Sequence, residues 1–193
     1  MTQTLHTSLC RPGRSERQRV VNSAAGFLVA VLLIHSLAGV VWGLGWPRMD
    51  VTVSDGAVVP SSAQGDNSVF RWWALVVVIS AVICIVASAF LATRLRERNS
   101  VGMVLWVAVA CAIGAMALYS AGALVASQIY GVPAGFDPAE GDTFSAMRAV
   151  PLGAAVPLFS AFVGALTYWT AWVLNTRDDA DAVHDVGDGP TQQ

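Results

Sequence analysis

Apolar and polar positions fall into long blocks along this chain. Residues 20–46, 69–93, 101–128 and 149–174 are four apolar runs, and the only charge inside any of them is Arg71, near one end of the second. A helix needs roughly 20 apolar residues to cross about 30 Å of hydrocarbon. All four runs exceed that. The pattern predicts an all-α membrane protein, a four-transmembrane-helix up-down bundle over residues 20–176, with spans at about 22–46, 70–93, 101–127 and 150–174. Residues 1–19 form a polar, basic tail. Residues 177–193 form an acidic one, predicted to be disordered for want of large apolar side chains.

Between the first two spans the period changes. Val51-Thr52-Val53-Ser54 alternates, Asp55-Gly56 is a type I′ turn pair, and Ala57-Val58-Val59 returns. This is the signature of a short β-hairpin, marginal by itself unless it packs on something. Between the third and fourth spans, residues 129–148 carry two prolines and the acids Asp137, Glu140 and Asp142. The calcium-loop pattern D-x-[DN]-x-[DN]-G is absent there, and the stretch reads as a solvated acidic loop.

Inside the spans, small residues recur at helical spacing. Gly39 and Gly43 make a G-x-x-x-G pair in span one. Ser80, Cys84, Ser88 and Ala92 follow one another at four-residue intervals in span two. Ala110, Gly114, Gly122 and Ala126 share a stripe in span three, and Ser160 pairs with Gly164 in span four. Such stripes let helix backbones approach closely. They mark Gly39, Gly43, Ser80, Cys84, Ser88, Gly114, Gly122 and Gly164 as helix-packing or partner-contact positions, with span three at the centre. Trp42, Trp46, Phe70, Trp72 and Trp73 suit an outer aromatic belt, and Tyr168, Trp169 and Trp172 an inner one. Pro151 and Pro157 predict a kinked outer turn in span four.

Charge then orients the bundle. The chain has no lysine. Four of its arginines precede span one, Arg94, Arg96 and Arg98 lie between spans two and three, and Arg177 follows span four. The positive-inside rule places these segments and both termini in the cytoplasm of a cell membrane. The first run exceeds the 7–15 residues of a signal-peptide core and lacks an A-x-A site after it. Only 12% of residues are charged, against about 25% in soluble domains.

Candidate chemistry is sparse. His35 is the polar group that stands out near mid-membrane, where no Asp, Glu, Lys or Arg lies, and intramembrane ionisable residues are functional candidates by default. Imidazole can ligate haem or relay protons, but no second histidine lies in any span. A neutral imidazole hydrogen-bonded to a neighbouring span is the plainer expectation. Cys10, Cys84 and Cys111 have no paired spacing and give neither a disulfide framework nor a zinc site. P-loop, G-x-S-x-G, H-E-x-x-H and G-x-G-x-x-G patterns are missing. The expectation is a protein that is not an enzyme, uses no cofactor, and contacts membrane lipids and other integral subunits, with no nucleic acid.

The run Trp42-Gly43-Leu44-Gly45-Trp46-Pro47, the V-x-V-x-D-G hairpin and the aromatic start of span two resemble a family of small four-span actinobacterial membrane proteins. That family carries the label of a domain of unknown function. The resemblance covers roughly residues 38–177 and brings no catalytic residues. In size and span number the chain also looks like accessory subunits of the cytochrome bcc–aa3 respiratory supercomplex. These likenesses imply an accessory or scaffold subunit beside a larger membrane complex. Two other expectations stand beside it. One is a transporter or channel component with a path lined by His35, Ser80, Ser88 or Tyr119, and the other a haem-binding redox subunit using His35.

Overall fold

The computed structural model describes residues 14–60, 67–94, 100–131, 135–148, 150 and 152–187. It is mostly helical: α1 (Arg14–Leu44), α2 (Asn67–Arg94), α3 (Val101–Tyr130) and α4 (Ala155–Gly187), with short strands β1 (Arg48–Ser54), β2 (Ala57–Pro60) and β3 (Thr143–Met147). Each helix holds a stretch long and apolar enough to cross a membrane: Val21–Leu44, Val69–Arg94, Val101–Tyr130 and Ala155–Asn175.

Helix ends follow local chemistry. Ser100 caps α3, its hydroxyl accepting from the Met103 amide at 3.3 Å, and Gly131 closes the other end through its N–H on Ser127 O. Three residues bend α1 into β1: the Gly45 and Trp46 amides turn back to Trp42 O and Gly43 O, and Pro47 follows. α4 starts only at Ala155, later than the predicted 150. Pro157 therefore sits in the first turn, where a missing N–H breaks no helical bond, and the expected proline kink has no mid-helix residue to act on. Pro151 lies outside the described residues.

Two helices run further than the apolar pattern. α1 begins at Arg14, inside the basic tail, and α4 continues to Gly187 through the stretch predicted to be disordered. In both cases neither Gly nor Pro interrupts the added turns, so the helix propagates until one does. Residues 1–13, 95–99 and 188–193, with most of the basic tail, the end of the acidic one and most of the arginine connection, lie outside the described residues.

Lipid tails are as apolar as leucine, so close packing and hydrogen bonds hold such helices together. α3 is the packing centre. Its Val107, Ala110, Cys111, Ala115, Leu118 and Ala126 have no exposure. Against α1 the contact is backbone to backbone: a Cβ on Gly39 would strike the Leu118 carbonyl, and one on Gly43 would lie 2.5 Å from the Gly122 oxygen. Gly122 in turn lies under the Trp42 ring. On the other side, Gly164 of α4 makes room for the Cys111 thiol.

The sheet has the order β2-β1-β3, both pairs antiparallel. The predicted hairpin is present, with Ser54 opposite Ala57 and positive φ at Asp55 (54°) and Gly56 (71°), as a type I′ turn requires. β3 corrects the loop reading. Thr143–Met147, from the α3–α4 connection, pairs with β1 from Arg48 opposite Met147 to Thr52 opposite Thr143. That third strand gives the marginal hairpin something to pack on. Glu140 of the same connection holds the turn, accepting from the Asp55 amide at 2.7 Å and the Gly56 amide at 3.2 Å.

Trp42 and Trp46 are 3% and 2% exposed, which corrects their assignment to a lipid-facing belt. They meet edge to face at 4.5 Å and lie against Tyr119. Trp46 Nε1 donates to Arg148 O at 2.8 Å, and Tyr119 donates to Val150 O at 2.7 Å. The α3–α4 connection thus covers them. Tyr168 is also fully buried, inside the apolar core that also holds Phe27, Val107 and Cys111.

Candidate functional site in the bundle core

The apolar core is two clusters. One gathers Val31, Cys84, Leu91, Met103 and Cys111, the other Trp42, Val76, Leu118, Val150 and Val156. At the junction between them lies a polar layer of His35 (α1), Ser80 (α2) and Ser160 (α4), each with no exposure. Gly114 of α3 lacks a Cβ where Val31 and the His35 ring press in; a Cβ there would come within 2.9 Å of His35 Nδ1.

The geometry fixes the histidine's tautomer. Nδ1 lies 2.8 Å from Val31 O, a carbonyl that only accepts, so Nδ1 carries hydrogen. Nε2 of the neutral ring is then an acceptor. It faces Ser80 Oγ at 3.3 Å and Cys84 Sγ at 3.9 Å. Ser80 Oγ is 2.9 Å from Ser160 Oγ, which is 2.9 Å from Val156 O. In one arrangement Ser160 donates to Ser80, Ser80 to His35, and His35 to Val31 O. An imidazolium would reverse the run, with Nε2 donating to Ser80, Ser80 to Ser160, and Ser160 to Val156 O. Either way every member finds a partner, as a buried polar group in hydrocarbon must. The expectation that His35 bonds a neighbouring span is met by Ser80.

Ser88 and Cys111 meet at 4.0 Å further along, and Cys84 and Cys111 are free thiols. Among the described residues no group of three or more His, Cys, Asp or Glu could hold a metal ion. A haem iron would have to reach His35 through Nε2, since Nδ1 is bound within its own helix. Ser80 and Cys84 stand on that side, so the residues do not fit that group.

All eight helix-packing candidates lie within the chain's own interior contacts. Gly39, Gly43 and Gly122 form the α1–α3 seam, Gly114 cradles His35, Gly164 faces Cys111 and Ser88, and Ser80, Cys84 and Ser88 are fully buried. As contacts to a partner they are already occupied. Of the expected path-lining residues, His35, Ser80 and Ser88 are closed off, and Tyr119 is bonded to Val150 O. Ser160 and Glu140 were less legible. Ser160 shows in sequence only as a small residue, and Glu140 as one acid among three.

No family model matches the chain, and neither the curated proteins nor the solved structures provide a match.

Proposed function

We propose that the chain is a non-catalytic, multi-pass membrane protein that serves as an accessory or scaffold subunit of a larger membrane assembly. Its four helices run up and down, with both termini and the arginine connection in the cytoplasm and the sheet outside. One observation carries this reading: the buried histidine and serines of the spanning helices bond within the bundle instead of lining a passage. Ser160, Ser80 and His35 form a closed chain without solvent exposure. The β1–β3 pairing supports the topology, because it joins the α1–α2 connection to the α3–α4 connection. The arginines at 94, 96 and 98 favour the cytoplasm for the connection between α2 and α3. A respiratory complex is one candidate host, from the resemblance alone.

The test is accessibility. In a variant lacking Cys10, Cys84 and Cys111, single cysteines replace His35, Ser80, Ser88 or Tyr119 in turn. The subunit reading expects all four to resist a membrane-impermeant maleimide in native membranes. Labelling at two or more would replace it with a transport role.

A further inference from the structure

α1 and α2 meet at His35 and Ser80 and separate on either side. Toward the last turn of α2 the separation opens a groove of about 800 Å³. Val31 and Leu91 are buried at its floor, Gly26 and Ala30 form part of its wall, and Ser23 and Arg94 are the polar ones among the described residues that line it.

Length points to the occupant. The α1 side runs from Ser23 to Ile34, about 17 Å at 1.5 Å per residue, close to one leaflet of a hydrocarbon core about 30 Å thick. The groove therefore reaches from the headgroup level to mid-bilayer. Charge agrees: Arg94 is exposed at that mouth, its guanidinium 4.9 Å above the Phe90 ring. Guanidinium is the side chain best matched to phosphate oxygens, and Arg96 and Arg98 follow in sequence. A partner's apolar helix would press hydrocarbon on Arg94. A phospholipid brings an anion to the same depth.

We propose that this groove binds one anionic phospholipid, its acyl chain along Gly26 and Ala30 and its phosphate on Arg94. The site stands whether or not the chain has a protein partner.

Native mass spectrometry of the full chain in mild detergent, incubated with phosphatidylglycerol or phosphatidylcholine, tests it. One phosphatidylglycerol should be retained in preference. Arg94→Gln should lower phosphatidylglycerol retention about tenfold, the loss of one charge-assisted contact, and phosphatidylcholine retention by less, because choline already offsets the charge of its phosphate. Gly26 has no atom within 4 Å of an added Cβ, so Gly26→Leu should fold, fill the groove and lower retention of both lipids. Equal retention of the two lipids by the unaltered chain would overturn the proposal. So would unchanged retention in Gly26→Leu, or a co-purified membrane polypeptide that this substitution releases.

Discussion

His35 and Ser80 meet at 3.3 Å halfway along the seam between α1 and α2, both without solvent exposure. Around that contact the seam is loose, with a groove toward Arg94 and a smaller one, of about 410 Å³, between Ala38 and Trp72. The polar layer therefore acts as a clasp. It is short, but its alternative in hydrocarbon is an unpaired imidazole nitrogen.

Ser80→Ala leaves Nε2 of His35 with only the Cys84 thiol, 3.9 Å away. The expected loss is about 1–2 kcal/mol, the range of interhelical hydrogen bonds in membranes, read from thermal melts in detergent. Ser160→Ala should cost roughly half as much, because Ser80 can still donate to His35 while Val156 O keeps its helical bond. A larger loss at Ser160 than at Ser80 would contradict the assignment of the chain.

The α1–α3 seam makes a sharper contrast. Gly43→Leu forces a side chain onto the Gly122 backbone, which cannot swing away as a side chain would. Overpacking of this kind costs upward of about 1–3 kcal/mol, and monodisperse protein should be largely lost on size-exclusion chromatography. Gly26→Ala meets open space and should be neutral or stabilising by up to about 1 kcal/mol. Similar elution profiles for the two would remove the seam from the account.

Much of this was legible in the sequence, for reasons particular to each element. Charge-free runs announced four helices, and Asp55-Gly56 announced its hairpin because a two-residue turn is a local code. Gly39 and Gly43 announced close packing but not its target, which proves to be α3 of the same chain. β3 was hidden because Thr143–Met147 pairs with β1, some 90 positions away, and non-local pairing leaves no local period. Trp42 and Trp46 were misassigned for a related reason. Interfacial tryptophans face lipid unless something covers them, and the cover comes from the distant Arg148–Val150 stretch. In the polar layer, spacing marked Ser80 and Ser160 as small. That they bond one another depends on how α2 and α4 are turned, which spacing does not encode.

Glu140 ties the two connections together from the acidic side. Glu140→Ala removes the acceptor for both turn amides while leaving the β1–β3 ladder in place. Hydrogen exchange at Asp55 and Gly56 should accelerate roughly tenfold, with Val51 and Thr52 unchanged. Unaltered exchange at the turn would show that the α3–α4 connection does not hold it.

The subunit reading itself is tested most directly by the company the chain keeps. A tag after Gln193, extraction of native membranes in mild detergent, and mass spectrometry with a visible spectrum of the same eluate give the answer. Other integral membrane proteins should elute in fixed stoichiometry with the 20.3 kDa chain, and haem bands among them would identify a respiratory host. A colourless preparation holding this chain alone, as monomer or homo-oligomer, would contradict it.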